Sequence, residues 1–446
     1  MKQSFVPRAV NGFLSKLICL LLPAIVPVFA APHVVVGYWH NWGLAGVPAI
    51  KLADVPAYYN VVCVAFASSA SPSDMTMSFS PDPSIETNAQ FIADVKTLRA
   101  RGTKVLLSLG GQNGTVILTA DADKQTFLTT MDALIKKYGF NGIDLDLENG
   151  DVQLGPGDTD FKNPVSARLV NLIDAVKTLR TNNGGADFWV TAAPEIAYVQ
   201  GGISAFAGIW GAYLPVLYGL RDILTYVHVQ YYNCGGNLAP DGNTYNQGTA
   251  DFVVAMTDML IGGFGLAGPT TNIFPGFPET QVAFGLPATQ GAAGGGYTQL
   301  SDVTKALDYL TKGISYGGKY TIRKSGGYPS LRGIMTWSIN WDNTNSYAFG
   351  KAFSSYFGIA SQTAARAPVL PQAKDGLQPI VAGRQWLHAG RGALHVSILD
   401  IRGNVVFAEN TSASDVIAIS DFANGVYLAR VVSPRETRQL KFTVAR

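Results

Sequence analysis

Three carboxylates stand two residues apart at Asp144, Asp146 and Glu148, inside the run Phe140-Asn141-Gly142-Ile143-Asp144-Leu145-Asp146-Leu147-Glu148-Asn149-Gly150. In a β-strand this alternation sends the acids to one face and Ile143, Leu145 and Leu147 to the other. A solvated edge strand would tolerate such a stripe. The flanks argue for burial: a helical pattern precedes the run, a glycine-containing turn follows, and short apolar strands alternate with helices along the chain, as in parallel sheets covered on both faces. Inward carboxylates are costly unless they share protons and hydrogen bonds, and that is how shifted pKa values arise. Residues two apart on a strand lie side by side, roughly 6.6 Å apart. Asp146 and Glu148 therefore cannot straddle a sugar ring as a two-carboxylate glycosidase requires, and another nucleophile is needed. An acetamido oxygen on the substrate would serve, with Glu148 protonating the leaving oxygen and Asp146 steadying the acetamido group as it becomes positive. If Asp144 and Asp146 share a proton, repulsion along the row keeps Glu148 an acid near neutral pH.

The scaffold for these acids is legible in the spacing of apolar runs. Strands are expected at 34–39, 61–68, 104–110, 142–148, 189–195, 226–232, 282–287 and 333–339, with helices at 88–100, 124–138, 165–181, 252–261 and 301–312. After the last strand, 346–357 places Phe349, Phe353 and Tyr356 at helical spacing. Eight such repeats predict a (β/α)8 TIM barrel over 31–358. A doubly wound open sheet would want a glycine-rich dinucleotide turn after its first strand, where Trp39-His40-Asn41-Trp42 stands instead. Catalytic groups of a barrel sit at the C-terminal ends of strands, and Glu148 closes its expected strand. The glycine-rich stretch 291–296 opens no helix at phosphate-binding spacing and reads as a flexible loop.

At 446 residues the chain exceeds one ordinary domain, and 47% hydrophobic against 14% charged residues describes a globular protein. A net charge of +2 gives no drive toward nucleic acid or acidic surfaces, so a neutral partner is expected. Lys2, Arg8 and Lys16 precede the apolar run 17–29 and the small-residue site Val28-Phe29-Ala30, which together predict a secretory signal peptide over 1–30. A retained membrane anchor is the alternative, but the run is short of the roughly 20 residues a spanning helix needs. No membrane partner is expected after cleavage, and Cys19 leaves with the signal. Cys63 and Cys234 remain, on separate expected strands, and are read as two buried thiols rather than a disulfide. Neither has metal-ligand company in the sequence, and the five histidines are scattered. Nothing requires a metal or organic cofactor.

With these residues in view, the chain resembles family 18 glycoside hydrolases, the chitinases. The family's alternating-acid signature matches Asn141-Gly142-Ile143-Asp144-Leu145-Asp146-Leu147-Glu148, with Asn141 where Asp is commoner. Ser108-Leu109-Gly110-Gly111 is similar to its third-strand motif and Gln230-Tyr231-Tyr232-Asn233 to its sixth, and Trp337 stands where the family keeps a tryptophan on the eighth strand. The Tyr38-Trp39-His40-Asn41-Trp42 opening resembles a bacterial single-barrel subgroup. The resemblance implies Glu148 as general acid and then base, Asp146 as acetamido partner, Asp144 as its proton-sharing neighbour, and Tyr232 as donor to the acetamido oxygen. Gln230 and Asn233 would complete the polar wall, Trp337 the floor under the sugar, and Tyr38 and Phe66 the lining, although all three aromatics could be plain barrel core. Ser108 and its glycines are read as packing. The implied substrate is chitin or chitooligosaccharides. The segment between the seventh and eighth strands lacks the extra small domain that family members with deep tunnels usually carry, which implies a shallower groove and internal cleavage or short-oligomer substrates.

Past residue 358 the texture changes. Residues 359–376, rich in Ala, Pro and Gln, read as a linker, and short alternating segments at 394–399, 405–408, 416–419, 426–432 and 440–444 predict a small all-β sandwich over 377–446. This part resembles C-terminal sorting domains of bacterial type IX secretion cargo, which implies the secretion machinery as a partner and a secreted, extracellular or cell-surface location. A chitin-binding module would show a row of exposed aromatics, for which only Trp386 is a candidate. Two further readings of the acid row stay open: an endo-β-N-acetylglucosaminidase acting on glycoprotein glycans, and a chitinase-like lectin, which would typically lack the glutamate.

Overall fold

Period-2 burial organises the described residues between 33 and 359 around one closed sheet. The computed structural model describes residues 33–268, 271–359, 381–382, 386–388, 395–400, 404–409, 416–419, 422–432 and 437–444; the expected signal peptide lies outside them, as does most of the expected linker. Eight parallel strands close the barrel: β1 (Val34–His40), β2 (Val61–Ala67), β3 (Lys104–Gly110), β4 (Gly142–Asp146), β5 (Trp189–Ala192), β6 (Tyr226–Gln230), β7 (Val282–Pro287) and β8 (Gly333–Trp337), with β8 pairing back to β1. Alternation divides each strand between two cores. Val34, Val36 and Tyr38 face the barrel interior with Cys63, Leu106, Tyr226 and Met335, whereas Val35 and Trp39 join Ile143, Leu145 and Leu147 in the larger core beneath the helices.

The covering helices are α1 (Asn88–Ala100), α2 (Asp121–Tyr138), α3 (Ala167–Asn182), α4 (Tyr213–Leu220), α5 (Ala250–Gly262), α6 (Leu300–Lys312), α7 (Ile339–Thr344) and α8 (Ala348–Tyr356). Their ends follow local chemistry. The hydroxyls of Thr87 and Thr249 accept from the amides of Gln90 and Phe252 to cap α1 and α5, and Gly139 closes α2 in the left-handed conformation. The helix α4 was not expected; its sequence Tyr-Leu-Pro-Val-Leu-Tyr-Gly-Leu is nearly all apolar and carries no helical stripe, because it is buried almost all round. Several strands are shorter than expected: β4 stops at Asp146, β5 at Ala192 and β6 at Gln230, and the chain enters α7 soon after Trp337. Glu148 therefore does not close its strand but lies two residues beyond it. Cys63 is a buried free thiol on β2, while Cys234 is free and half-buried in the loop after β6, not on a strand.

The chain divides between residues 364 and 365 into two compact units. The second is all-β, with a three-stranded antiparallel sheet (Val381–Ala382, Trp386–His388, Val416–Ala418) and a four-stranded one (Val405–Glu409, His395–Asp400, Gly425–Val432, Thr437–Val444). Val396, Ile398, Tyr427, Ala429 and Phe442 form its apolar core.

Candidate active site

At the C-terminal mouth of the barrel a cavity of about 970 Å³ opens, lined by Asp146, Glu148, Gln230, Tyr232, Asn233, Phe66 and Trp337 among others. Seven of the nine expected site residues thus share one cleft. The other two, Asp144 and Tyr38, lie beneath its floor, fully buried. Tyr38 was expected to line the pocket; its hydroxyl instead donates to Asp144 Oδ2 at 2.5 Å, drawing the ring under the floor.

The strand register explains how Asp144 is held. On β3, Ser108 pairs with Asp144, and on β5 Thr191 does, so both hydroxyls reach its carboxylate. Ser108 Oγ donates at 2.8 Å, Thr191 Oγ1 at 2.6 Å, and His228 Nε2 lies 2.8 Å from Oδ1. Burial disfavours its charge, but His228 and the hydroxyls of Thr191 and Tyr38 outweigh burial and hold the carboxyl below the usual range. Cys63, which has no metal-ligand company in the sequence, meets Asp144 and His228 in space, with ligand atoms within 4.8 Å of one another. Burial, then the charges of Asp144 and Asp146, push its thiol well up, away from the thiolate that a metal would need.

One step outward the balance reverses. Gln230 Nε2 donates to Asp146 Oδ1 at 2.7 Å, to Glu148 Oε1 at 3.3 Å and to the Ala193 carbonyl at 2.9 Å. Burial, then the charges of Glu148 and Asp144, push Asp146 well up; burial also raises Glu148, against hydrogen bonds from Gln230 and Asp146. Like charges this close and this buried hold a proton between them. The directions diverge along the row, Asp144 lowered by its donors and Asp146 and Glu148 both raised, which favours sharing between the outer two over the expected sharing between Asp144 and Asp146.

Aromatic rings of Trp42, Phe66 and Trp337 also line the cleft. Trp337 stacks near Phe66, with centroids 6.0 Å apart and an interplanar angle of 14°, and packs 4.7 Å from His40, which itself stacks on Trp42 at 4.8 Å. Burial lowers His40 to about 4, so this ring is a neutral spacer. The glycine run 291–296 is a wall rather than a spare loop: Gly291 and Gly294 line the cleft, and a Cβ on Gly296, at φ +96°, would stand 2.6 Å from Tyr232 Cα. Gly110 and Gly111 do pack as expected, Gly111 donating its amide to the Asp146 carbonyl at 2.7 Å, but Ser108 also binds an acid. Sequence reasoning missed Thr191, His228 and Glu195. The signal for His228 was its alternation with Tyr226 and Gln230 on β6. Glu195 lines the cleft, and burial, then the charge of Glu148, lift it to about 7.

Residues 34–342 match the model of glycosyl hydrolases family 18. The chain belongs to that family. Similar proteins include Chitinase Chi52 of Paenibacillus xylanexedens, 48% identical over 329 residues, and Chitinase D of Niallia circulans, 47% identical over 330. The matches cover 74% and 73% of this chain, which spans about three fifths of the length of those relatives, 62% of each. A crystal structure of a family 18 chitinase from Chromobacterium violaceum superposes with a TM-score of 0.66 at 40% identity, covering 73% of this chain and 83% of that one. Residues 386–445 match the model of a secretion system C-terminal sorting domain, in agreement with the expected export to the cell exterior or surface.

Proposed function

We propose that this protein is a secreted chitinase that hydrolyses β-1,4 bonds between N-acetylglucosamine units with retention of configuration, and that the C-terminal domain engages the secretion machinery. The observation that carries the reading is the bridge of Gln230 to Asp146 and Glu148 on the floor of an aromatic-walled cleft. Glu148 gives its proton to the glycosidic oxygen as the C1–O bond breaks. The acetamido oxygen of the same sugar closes on C1, and the positive charge that spreads onto the acetamido nitrogen is met by Asp146. Glu148, now a carboxylate, takes a proton from the water that reopens the ring. Tyr232, whose hydroxyl has no protein partner among the described residues, is placed to donate to the acetamido oxygen, and Trp337 offers a flat face to the sugar. The relatives named chitinases support chitin as the substrate.

The test is turnover of chitin oligomers against a high-mannose glycopeptide, by the wild type and by Glu148→Gln. Hydrolysis of the oligomers that the substitution abolishes is expected. Preference for the glycopeptide would instead make the protein an endo-β-N-acetylglucosaminidase, and binding of oligomers without turnover would make it a lectin.

A further inference from the structure

The cleft holds one acid more than this reaction uses. Glu195 lies three residues beyond the end of β5, the strand next to that of Glu148, and its backbone pairs in parallel with Gln230. Its side chain lines the cavity together with Asp146 and Glu148. Its acidic neighbours are satisfied: Asp144 takes its four donors, Asp146 and Glu148 share Gln230, and Asp151 accepts the Val116 amide at 2.8 Å. The Glu195 side chain has no hydrogen bond or ion pair among the described residues, and only burial and the charge of Glu148 act on it. Among the described residues no Lys, Arg or His lines the cleft to balance the three carboxyls. An unpaired carboxyl facing two others burdens the folded state, and a wholly acetylated chain brings hydroxyl and amide donors but no positive charge to offset the three acids.

We propose that Glu195 selects a cationic sugar: a glucosamine unit, with its free C2 ammonium, next to the N-acetylated unit at which the chain is cut, so that partially deacetylated chitin is the preferred substrate. This rests on the function proposed above, because the unit at the cleavage point must keep its acetyl group to attack its own C1. Glu195 is largely protonated in mild acid, and an arriving ammonium displaces that proton to solvent, one proton released for each cation seated. The ion pair then lies in a part-buried site, where a charge-assisted hydrogen bond is stronger than a neutral one.

The experiment is digestion of a randomly deacetylated chitin in mildly acidic buffer by the full chain and by Glu195→Gln and Glu195→Asp, with the sugars at and beside each new chain end read by mass spectrometry. In the wild type, the odds of glucosamine against N-acetylglucosamine at one adjoining position should exceed those of the parent polymer by roughly tenfold, the lower range for a charge-assisted contact. Glu195→Gln should return that position to the parent composition, and Glu195→Asp, which keeps the charge, should retain part of the enrichment. Each value is a ratio within one digest, so the variants need not match the wild-type rate. Unbiased neighbours in the wild type, or equal bias in Glu195→Gln, would overturn the proposal while leaving the acetamido mechanism standing. New reducing ends that are as often glucosamine as N-acetylglucosamine would instead remove the mechanism itself.

Discussion

Asp144 and Glu148 differ by four positions in one acid row, yet the structure treats them in opposite ways. Asp144 is wholly buried and is held below the usual carboxyl range; Glu148 is partly exposed at the cleft and is raised. Depth alone would order them the other way. The difference lies in donors: Asp144 is met by Tyr38, Ser108, Thr191 and His228, while Asp146 and Glu148 divide one amide between them. The inner end of the row is built to stay charged and the outer end to hold a proton.

The comparison breaks most sharply at the outer end. Glu148→Gln should lower turnover of chitin oligomers by roughly 10²–10⁴-fold, the range for a lost general acid and base, with little change in Tm. At the inner end, Asp144→Asn should act chiefly on stability: an amide cannot accept from all four neighbours, and a loss of about 3–5 kcal/mol is expected, read as a Tm lowered by roughly 5–10 °C. A Tm unmoved by that change would mean that Asp144 is not the anchor its donors suggest. Replacing the sugar platform, Trp337→Ala should raise KM about tenfold with a smaller change in kcat, measured by steady-state kinetics on short oligomers.

The smallest expected effect is a dependence on pH at Glu195. Its pKa rises from 4.5 to about 7 on folding, so the folded chain holds a proton that the unfolded chain has released, and the stability linked to it is present below pH 4.5 and lost as pH rises to about 7. Glu195→Gln removes this loss. The Tm gap between the variant and the wild type should widen in favour of the variant across that interval and stay flat below it; partial exposure keeps the shift modest. The same sign applies to Glu148, so activity should fall on the alkaline side as its proton is lost, at a pH above the ordinary glutamate value of 4.5.

The barrel was legible because its signal is local: eight apolar runs with helices between them need only a count, and the acid row is visible in six residues. What the sequence hid was lateral. Ser108, Thr191 and His228 meet Asp144 through the register of three different strands, and no spacing within one strand reveals that pairing. For the same reason the lowering of Asp144 was not expected, since the row shows repulsion among acids but not the donors facing them. The wall formed by the glycine run looked like loose chain because close approach of Gly296 to Tyr232 leaves no mark except the absence of a side chain. The helix α4 was missed because full burial erases amphipathic spacing.

The central claim is that the substrate's own acetamido group attacks C1 while Glu148 supplies the proton. Its most direct test is the anomeric configuration of the first sugar released from a chitin oligomer, followed by proton NMR before mutarotation. The account predicts the β anomer from the earliest spectra; an initial α anomer would mean that water strikes C1 directly, which would leave the pairing of Asp146 with Glu148 without its proposed role.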